Sequence, residues 1–258
     1  MPGLAALLLA LSLPAQGDAD KPRSEFDTLV AEWKVANRSY RAVSKAVQNC
    51  SEYKAAVEAK DRNAVNALFA VLKRPDAAAF GARALKLADE QGADGGLQTL
   101  AYAAANFYDA DTHKGIVERV VKDHVGSAGL DAVLFSGRLF PRTAGAAETK
   151  AMLEAVLENN KNAQPRAWAM YLLGQMIRGD KEADDETKAR GVDLLAQAES
   201  LAAGTDLADR IAAPRFKQER LQIGMVAPEI EGTDPDGVAF KLSDYRGKVV
   251  VLDFWGFW

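Results

Sequence analysis

The sequence predicts a mainly α-helical protein whose C-terminal segment begins an α/β domain. Alanine-rich stretches with apolar residues at helical spacing run from about Ser24 to Arg220. Runs of β-branched residues are absent from this region, and its prolines lie at apparent helix boundaries: Pro75, Pro141, Pro165 and Pro214. The composition changes at about Ile223, after which short strand-like segments alternate with glycine-containing turns.

These changes in composition divide the 258 residues into three predicted segments. Residues 1–19 form a leader, residues 20–222 a helical domain, and residues 223–258 the N-terminal part of an incomplete α/β domain. The length allows one large domain or two smaller ones, and the charged fraction of 26% is ordinary for a globular chain.

The leader has the composition of a secretory signal peptide. Its apolar stretch, Leu4–Leu13, is too short to span a bilayer, and small residues follow, with candidate cleavage sites after Gly17 or Ala19. No lysine or arginine precedes the apolar stretch, and no cysteine that could carry a lipid follows it. We therefore expect an exported protein, periplasmic or otherwise extracytoplasmic, without a stable membrane anchor.

The helical domain is predicted from amphipathic segments and the turns between them. Phe26, Leu29, Val30 and Trp33 recur every three or four positions and form one apolar stripe. The turn signals QGADGG, YDADT, HVGSAG and RGDKEADD separate the segments. Short connections favour antiparallel neighbours, so we predict about eight helices in antiparallel pairs.

One helical pair resembles a tetratricopeptide-type hairpin. RAWAMYLLGQMIRGD and ETKARGVDLLAQAESLA place Trp168, Leu172, Gly174 and Ala189 near the positions that such a repeat requires. A repeat array would show this pattern at least three times, and the earlier helices do not align to it. A helical-repeat interaction protein without catalysis is nevertheless an alternative, with a protein partner for the helical domain. The larger aromatic residues of the region are expected in the core rather than in a binding groove: Trp33, Tyr40, Phe69, Tyr102, Phe107 and Tyr171.

Charge and cysteine content narrow the classes of function. A net charge of −4 gives no reason to expect nucleic acid as a partner. Cys50 is the one cysteine, which excludes an internal disulfide, and we expect it to be a small apolar residue on a helix. His113 and His124 lack the spacing of two ligands on one helical face, and we expect both to face solvent. No metal or other cofactor is predicted.

The C-terminal segment has a recognisable order of elements. TDPDGV forms a turn, VAFKL a short strand and SDYRGK a loop. Val249–Trp255 is almost continuously apolar, which is typical of a central strand of a parallel sheet buried on both faces. Asp253 lies within this run, where a carboxylate is costly unless it is paired, protonated or functional.

This order resembles the opening of the thioredoxin-like superfamily, in particular the exported TlpA/ResA-type thiol–disulfide oxidoreductases. In that family the pattern G-x-x-A-P is followed by a D-G turn, L-S-x-x-R-G-K and a V-V-L-x-F-W strand. The matching positions here are Gly224, Ala227, Pro228, Asp236, Gly237, Leu242, Ser243, Arg246, Gly247, Lys248, Val250, Val251, Leu252, Phe254 and Trp255.

The resemblance implies a thiol–disulfide oxidoreductase that acts on protein thiols and disulfides. It gives Asp253 the role of the buried acid that exchanges a proton with the resolving cysteine, and Trp258 that of the tryptophan at the substrate-docking surface. The family's C-x-x-C motif would begin one residue after Trp258. We therefore expect a truncated domain that is inactive in this 258-residue chain, in which the missing nucleophile is cysteine or a selenocysteine whose UGA codon was read as a stop.

Two further expectations follow from the C-terminal segment. A peroxiredoxin-like peroxidase shares the same opening, but DFWGFW favours the thioredoxin type. In the 258-residue chain, residues 224–258 should be poorly held by the rest of the protein, with Val249–Trp255 an exposed, aggregation-prone apolar edge.

Overall fold

The computed structural model describes residues 24–253 with the exception of Val71. This part of the chain is mainly α-helical, which confirms the predicted fold class. It divides into two compact units, the first ending at Leu201 and the second beginning at Ala202. The predicted leader, residues 1–19, lies outside the described residues, and the predicted domain boundary at residue 222 stays a prediction.

The described residues from 24 to 220 contain eleven α-helices, more than the eight or so that the sequence predicts for this region, and four of them have only four to nine residues. Ten of the eleven lie in the first unit. A π-helical turn, Val120–His124, and a 3₁₀ turn, Gly137–Leu139, also lie in this unit. The helices are α1 (Glu25–Asn49), α2 (Ser51–Glu58), α3 (Arg62–Ala70), α4 (Ala77–Asn106), α5 (Ala110–Arg119), α6 (Asp131–Leu134), α7 (Phe140–Thr143), α8 (Ala146–Asn159), α9 (Ala163–Gly179) and α10 (Asp185–Leu201).

Side-chain caps set the starts of the longer helices. Ser24, Asp76 and Asp109 each accept a hydrogen bond from the backbone N–H three residues later, at 3.0, 3.0 and 2.9 Å. These bonds satisfy N–H groups that have no partner within the helix. The predicted turn at YDADT is therefore the capped start of α5.

Helix α4 reverses direction at Gly92. This glycine has φ +68° and ψ −169°, outside the helical region, at the predicted QGADGG turn. A straight helix would separate Phe80 from Phe107 by roughly 40 Å, yet their ring centroids lie 6.0 Å apart. A Cβ on Gly96 would lie 2.5 Å from the carbonyl oxygen of Ala88, so glycine allows the two arms to approach closely.

The core of the first unit lies where α4 meets α5 and α6, and where α9 meets α6 and α8. Its side chains are almost all aliphatic or aromatic, as close packing without unpaired polar groups requires. The largest apolar side chains that are fully buried are Leu100, Phe107, Ile116, Leu130, Leu134, Phe140, Met152, Leu153 and Leu173.

Helices α9 and α10 form the predicted hairpin, joined at the RGDKEADD turn. A Cβ on Gly174 would lie 3.0 Å from the carbonyl oxygen of Gly191, and a Cβ on Gly191 would lie 2.7 Å from Cγ2 of Ile177. Glycine at both positions lets the two helix backbones approach more closely than alanine would allow.

The two histidines are buried, so the expectation that they face solvent is wrong. His113 is fully buried, and its Nδ1 lies 2.7 Å from Oγ1 of Thr143. The Thr143 hydroxyl donates to the carbonyl of Leu139 at 2.9 Å, so its oxygen accepts a hydrogen bond from Nδ1–H of His113. Burial lowers the pKa of His113, and burial likewise lowers the pKa of His124.

The second unit consists of one helix and a small sheet in its described residues. Helix α11 (Asp206–Arg220) contains Pro214 in its interior, so the prediction that this proline marks a boundary is wrong. Proline has a helical φ, and the helix continues at the cost of one N–H···O bond. Strands β1 (Glu231–Thr233) and β2 (Ala239–Lys241) pair antiparallel, and a 3₁₀ turn, Leu242–Tyr245, follows.

Between residues 24 and 253, none of the helices combines the length and the apolar character that crossing a membrane requires.

Candidate functional site

The β1–β2 hairpin is organised by the side chain of Asp234. Its Oδ1 accepts hydrogen bonds from the backbone N–H groups of Asp236 at 3.0 Å and Val238 at 2.8 Å. Gly237 has φ +84°, the left-handed conformation that the turn requires, and its N–H bonds the carbonyl of Asp234 at 3.0 Å. The predicted TDPDGV turn is therefore confirmed, with Asp234 as its organising residue.

A second acidic side chain ties the approach to β1 to the loop after β2. Oε1 of Glu229 accepts the N–H of Ser243 at 3.0 Å and that of Ile230 at 3.1 Å. The hydrogen bond from Ser243 lowers the pKa of the exposed Glu229 carboxyl. The N–H of Leu242 donates to the carbonyl of Ile230 at 2.9 Å, which extends the strand pairing by one bond.

The SDYRGK loop forms a compact turn, as predicted. Asp244 accepts the N–H of Lys241 at 2.8 Å, and the N–H of Lys248 bonds the carbonyl of Tyr245 at 3.1 Å. Gly247 has φ +83°, so this position also requires glycine. These bonds set the direction in which the chain enters the apolar run at Val249.

The predicted central strand is not formed over Val249–Asp253. These residues have no strand pairing, and Val249 and Val251 are 97% and 87% exposed. No described strand lies beside them to accept their backbone hydrogen bonds, so the strand prediction is wrong for these residues, while the expected exposed apolar segment is confirmed. Asp253 is exposed rather than buried, and its proton-transfer role stays a prediction. Trp258 lies outside the described residues, as do Phe254 and Trp255.

Cys50 lies at a helix start rather than within a helix. It links α1 and α2, and its Sγ accepts the N–H of Tyr53 at 3.4 Å as a cap. Within the described ranges, no cluster of three or more His, Cys, Asp or Glu side chains is placed to hold a metal ion.

A groove on the first unit was not predicted from the sequence. Trp33, Tyr40 and Tyr102, which were expected in the core, line a groove in the first unit together with exposed lysines and arginines. We call this the basic groove; its cations are Lys34, Arg38, Arg41, Lys45 and Arg74. The signal in the sequence is the recurrence of four of these cations every three or four positions along α1. Phe107 and Tyr171, by contrast, are buried as predicted.

Short stretches of the chain are similar to bacterial thiol–disulfide oxidoreductases named ResA. The chain is 45% identical over 42 residues to the protein of Bacillus thuringiensis subsp. konkukian, and these residues are 16% of this chain and 24% of that relative. It is 46% identical over 41 residues to the protein of Bacillus anthracis, with the same shares of the two chains. It is 53% identical over 36 residues to the protein of Geobacillus kaustophilus, or 14% of this chain and 21% of the relative.

The chain thus spans about a quarter of the length of the curated relatives it matches. No family model matches the sequence, and no solved structure matches it. The partial matches indicate a short thioredoxin-like segment in this chain.

Proposed function

We propose that this protein is an exported thiol–disulfide oxidoreductase of the thioredoxin-like, TlpA/ResA type, with a helical domain preceding the redox domain. The observation that carries the proposal is the 45–53% identity over 36–42 residues to the ResA proteins. The turn around Asp234 and the glycines at positive φ support it, because they give the resembling segment a defined backbone path.

The chemistry requires two reactive groups. A thiolate attacks one sulfur of a substrate disulfide, the other substrate sulfur leaves as a thiolate, and a mixed disulfide forms. A second protein thiol then attacks the mixed disulfide, so the substrate is released reduced and the protein is oxidised to a disulfide. Cys50, one thiol that caps a helix in the first unit, cannot supply this pair. We propose that a C-x-x-C or U-x-x-C motif following Trp258 in the gene supplies it.

The two predicted site residues have separate roles in this proposal. Asp253 accepts the proton of the resolving thiol and returns it during the cycle, because an acid close to that thiol can act as general base and acid. Trp258 contributes an apolar contact beside the nucleophile, where the substrate docks.

The proposal is tested by sequencing the gene and its transcript past the Trp258 codon and expressing the complete reading frame. A cysteine or UGA codon, two further codons and a cysteine codon are expected, and the encoded protein should reduce insulin disulfides. The absence of such a motif, or a complete protein without disulfide exchange activity, would overturn the proposal. Consumption of hydrogen peroxide without disulfide exchange would instead assign the peroxidase class.

Asp253 is tested by Asp253→Asn in the complete protein, with Asp244→Asn as the matched control. Loss of the proton acceptor should slow resolution of the mixed disulfide by about 10²-fold or more and change the pH dependence of that step. Asp244→Asn removes a turn acid and should leave the pH profile unchanged. Equal pH profiles for both variants and the parent protein would refute the role of Asp253.

Export is tested independently by N-terminal sequencing of the protein recovered from cells. A mature chain that begins at Asp18 or Asp20 in the extracytoplasmic fraction is expected, since the candidate cleavage sites follow Gly17 and Ala19. A chain retained in the cytoplasm with Met1 or Pro2 at its N-terminus would contradict export.

A further inference from the structure

The basic groove is a large concave surface of the first unit. It has a volume of about 1000 Å³, and its lining residues lie on α1, around the start of α4, and at and just after the end of the second arm of α4. These elements are brought together by the contact between α1 and α4 and by the reversal at Gly92. The groove is therefore formed mainly by helices that pack against each other.

Five cationic side chains line the basic groove, and no carboxylate does so among the described residues. Lys34, Arg38, Arg41 and Lys45 form a stripe along one face of α1 that is about 17 Å long. Arg74 faces them from the segment that precedes α4. All five are exposed, and none forms an ion pair with another residue in the described part of the chain.

The acidic residues next to these cations in sequence are engaged elsewhere. Glu32 pairs with Arg83 at 2.6 Å, and Asp76 caps α4 by accepting the N–H of Ala79. The positive charge of the basic groove is thus uncompensated, although the whole chain carries a net charge of −4. Such a local concentration of one sign attracts a partner of the opposite sign.

The apolar part of the groove lining packs on an aromatic cluster. Trp33 and Tyr102 each pack edge-to-face on the fully buried Phe107, with centroids 4.9 and 5.9 Å apart. The hydroxyl groups of Tyr40 and Tyr102 have no hydrogen-bond partner among the described residues, so they can donate to a ligand. Half-buried aromatic rings with free hydroxyl groups are typical of binding surfaces.

We propose that the basic groove binds an extended acidic peptide segment of a partner protein. This interaction surface lies apart from the proposed redox chemistry and does not depend on it. Cations on α1 recur about every 4.5–6 Å along the helix axis, close to the roughly 6.6 Å between alternate side chains of an extended peptide. Alternate carboxylates would contact the stripe, and an apolar side chain would lie over Trp33 and Tyr102. The net negative charge of the whole chain favours a short acidic peptide over a nucleic acid, whose long phosphate backbone requires a broadly positive surface.

The test measures fluorescence anisotropy of a short labelled peptide in which glutamates alternate with serines around a central phenylalanine. The protein is the whole 258-residue chain. Controls are the same peptide with glutamine for glutamate and a labelled single-stranded oligonucleotide. The key variant is Arg38→Glu/Arg41→Glu, and the matched control with the same change in net charge is Lys150→Glu/Lys181→Glu, two exposed lysines outside the basic groove.

We expect the acidic peptide to bind and the glutamine peptide not to bind. Arg38→Glu/Arg41→Glu should weaken binding by at least about tenfold, while the control variant changes it less than about twofold. Affinity should fall as salt is raised above about 0.1 M. Circular dichroism checks that each variant is folded. The variant Arg38→Gln/Arg41→Gln removes the two positive charges without adding negative ones, and it should weaken binding less than Arg38→Glu/Arg41→Glu.

Several outcomes would overturn the proposal. Equal binding by the groove and control variants would place the peptide elsewhere, and equal binding of the glutamine peptide would exclude recognition of carboxylates. Binding of the oligonucleotide in preference to the peptide would assign the basic groove to nucleic acid. A dimer in sedimentation experiments that Arg38→Glu/Arg41→Glu abolishes would make the occupant a second copy of this chain.

Discussion

The close contact of α9 and α10 makes Gly174→Ala a quantitative test of the hairpin. The added Cβ would lie 2.9 Å from Cγ of Leu195 and 3.0 Å from the carbonyl oxygen of Gly191, whereas ordinary contacts begin at 3.4 Å. Leu195 can rotate away, but the carbonyl moves only if the helix backbone moves. The helices must therefore separate locally by a few tenths of an ångström.

Two opposing contributions decide the sign of the change in stability. Overpacking of a tight contact costs about 1–3 kcal/mol, and alanine is about 0.8–1 kcal/mol better than glycine in a helix interior. The net expectation is a loss of about 1 kcal/mol in the free energy of unfolding, or about 2–4 °C in Tm for a chain of this size.

Gly179→Ala is the matched control, because it lies at the end of the same helix and a Cβ there meets no atom within 4 Å. It should leave stability unchanged or raise it by up to about 1 kcal/mol. Urea unfolding followed by circular dichroism measures both variants. If Gly174→Ala is as stable as Gly179→Ala, the close approach of the two helices does not exist in solution.

Three further changes test other parts of the structure. Burial holds the pKa of His113 below its usual value of about 6.5, so the unfolded chain takes up the proton first; the free energy of unfolding should be highest above that pH and fall as the pH drops below it. In urea titrations at several pH values, His113→Asn should reduce this slope, and an unchanged slope would contradict the burial of a neutral ring. The side chain of Asn160 is fully buried and donates to the carbonyls of Val125 and Ser127 at 2.8 and 2.9 Å. Asn160→Ala removes these donors and should lower the free energy of unfolding by about 1–3 kcal/mol in the same assay. A decrease below about 0.5 kcal/mol would refute that network. Val251→Lys places a charge in the exposed apolar segment and should slow the rise of light scattering in concentrated solutions of the 258-residue chain, whereas an unchanged rate would exclude that segment as the site of association.

The features that could be predicted from the sequence are those set by neighbouring residues. Helical periodicity, the turns around Gly92 and Asp109, and the TDPDGV turn depend on local backbone chemistry, and the structure contains all of them. The hairpin of α9 and α10 was predictable because its glycine and aromatic residues follow the spacing of a known repeat.

The features that were missed depend on contacts between residues distant in sequence. Whether His113 is buried depends on Thr143 and Phe140, which lie two helices further along the chain. Trp33 and Tyr102 are recognisable in the sequence as apolar residues, but only tertiary packing decides that both are half-buried and line a groove. In the C-terminal segment, a strand forms only where another strand pairs with it, so the apolar pattern of Val249–Asp253 was not sufficient.

The reversal at Gly92 also bears on how the helical unit folds. It makes the contacts between the two arms of α4 local, starting with Ala88 and Gly96 and ending with Phe80 and Phe107. Local contacts lose little loop-closure entropy, so the arms can pair stepwise outward from Gly92 on the fast timescale of helical hairpins. Trp33 can then dock on a preformed surface of Phe80 and Phe107, which makes the arms of α4 the expected folding nucleus of the first unit.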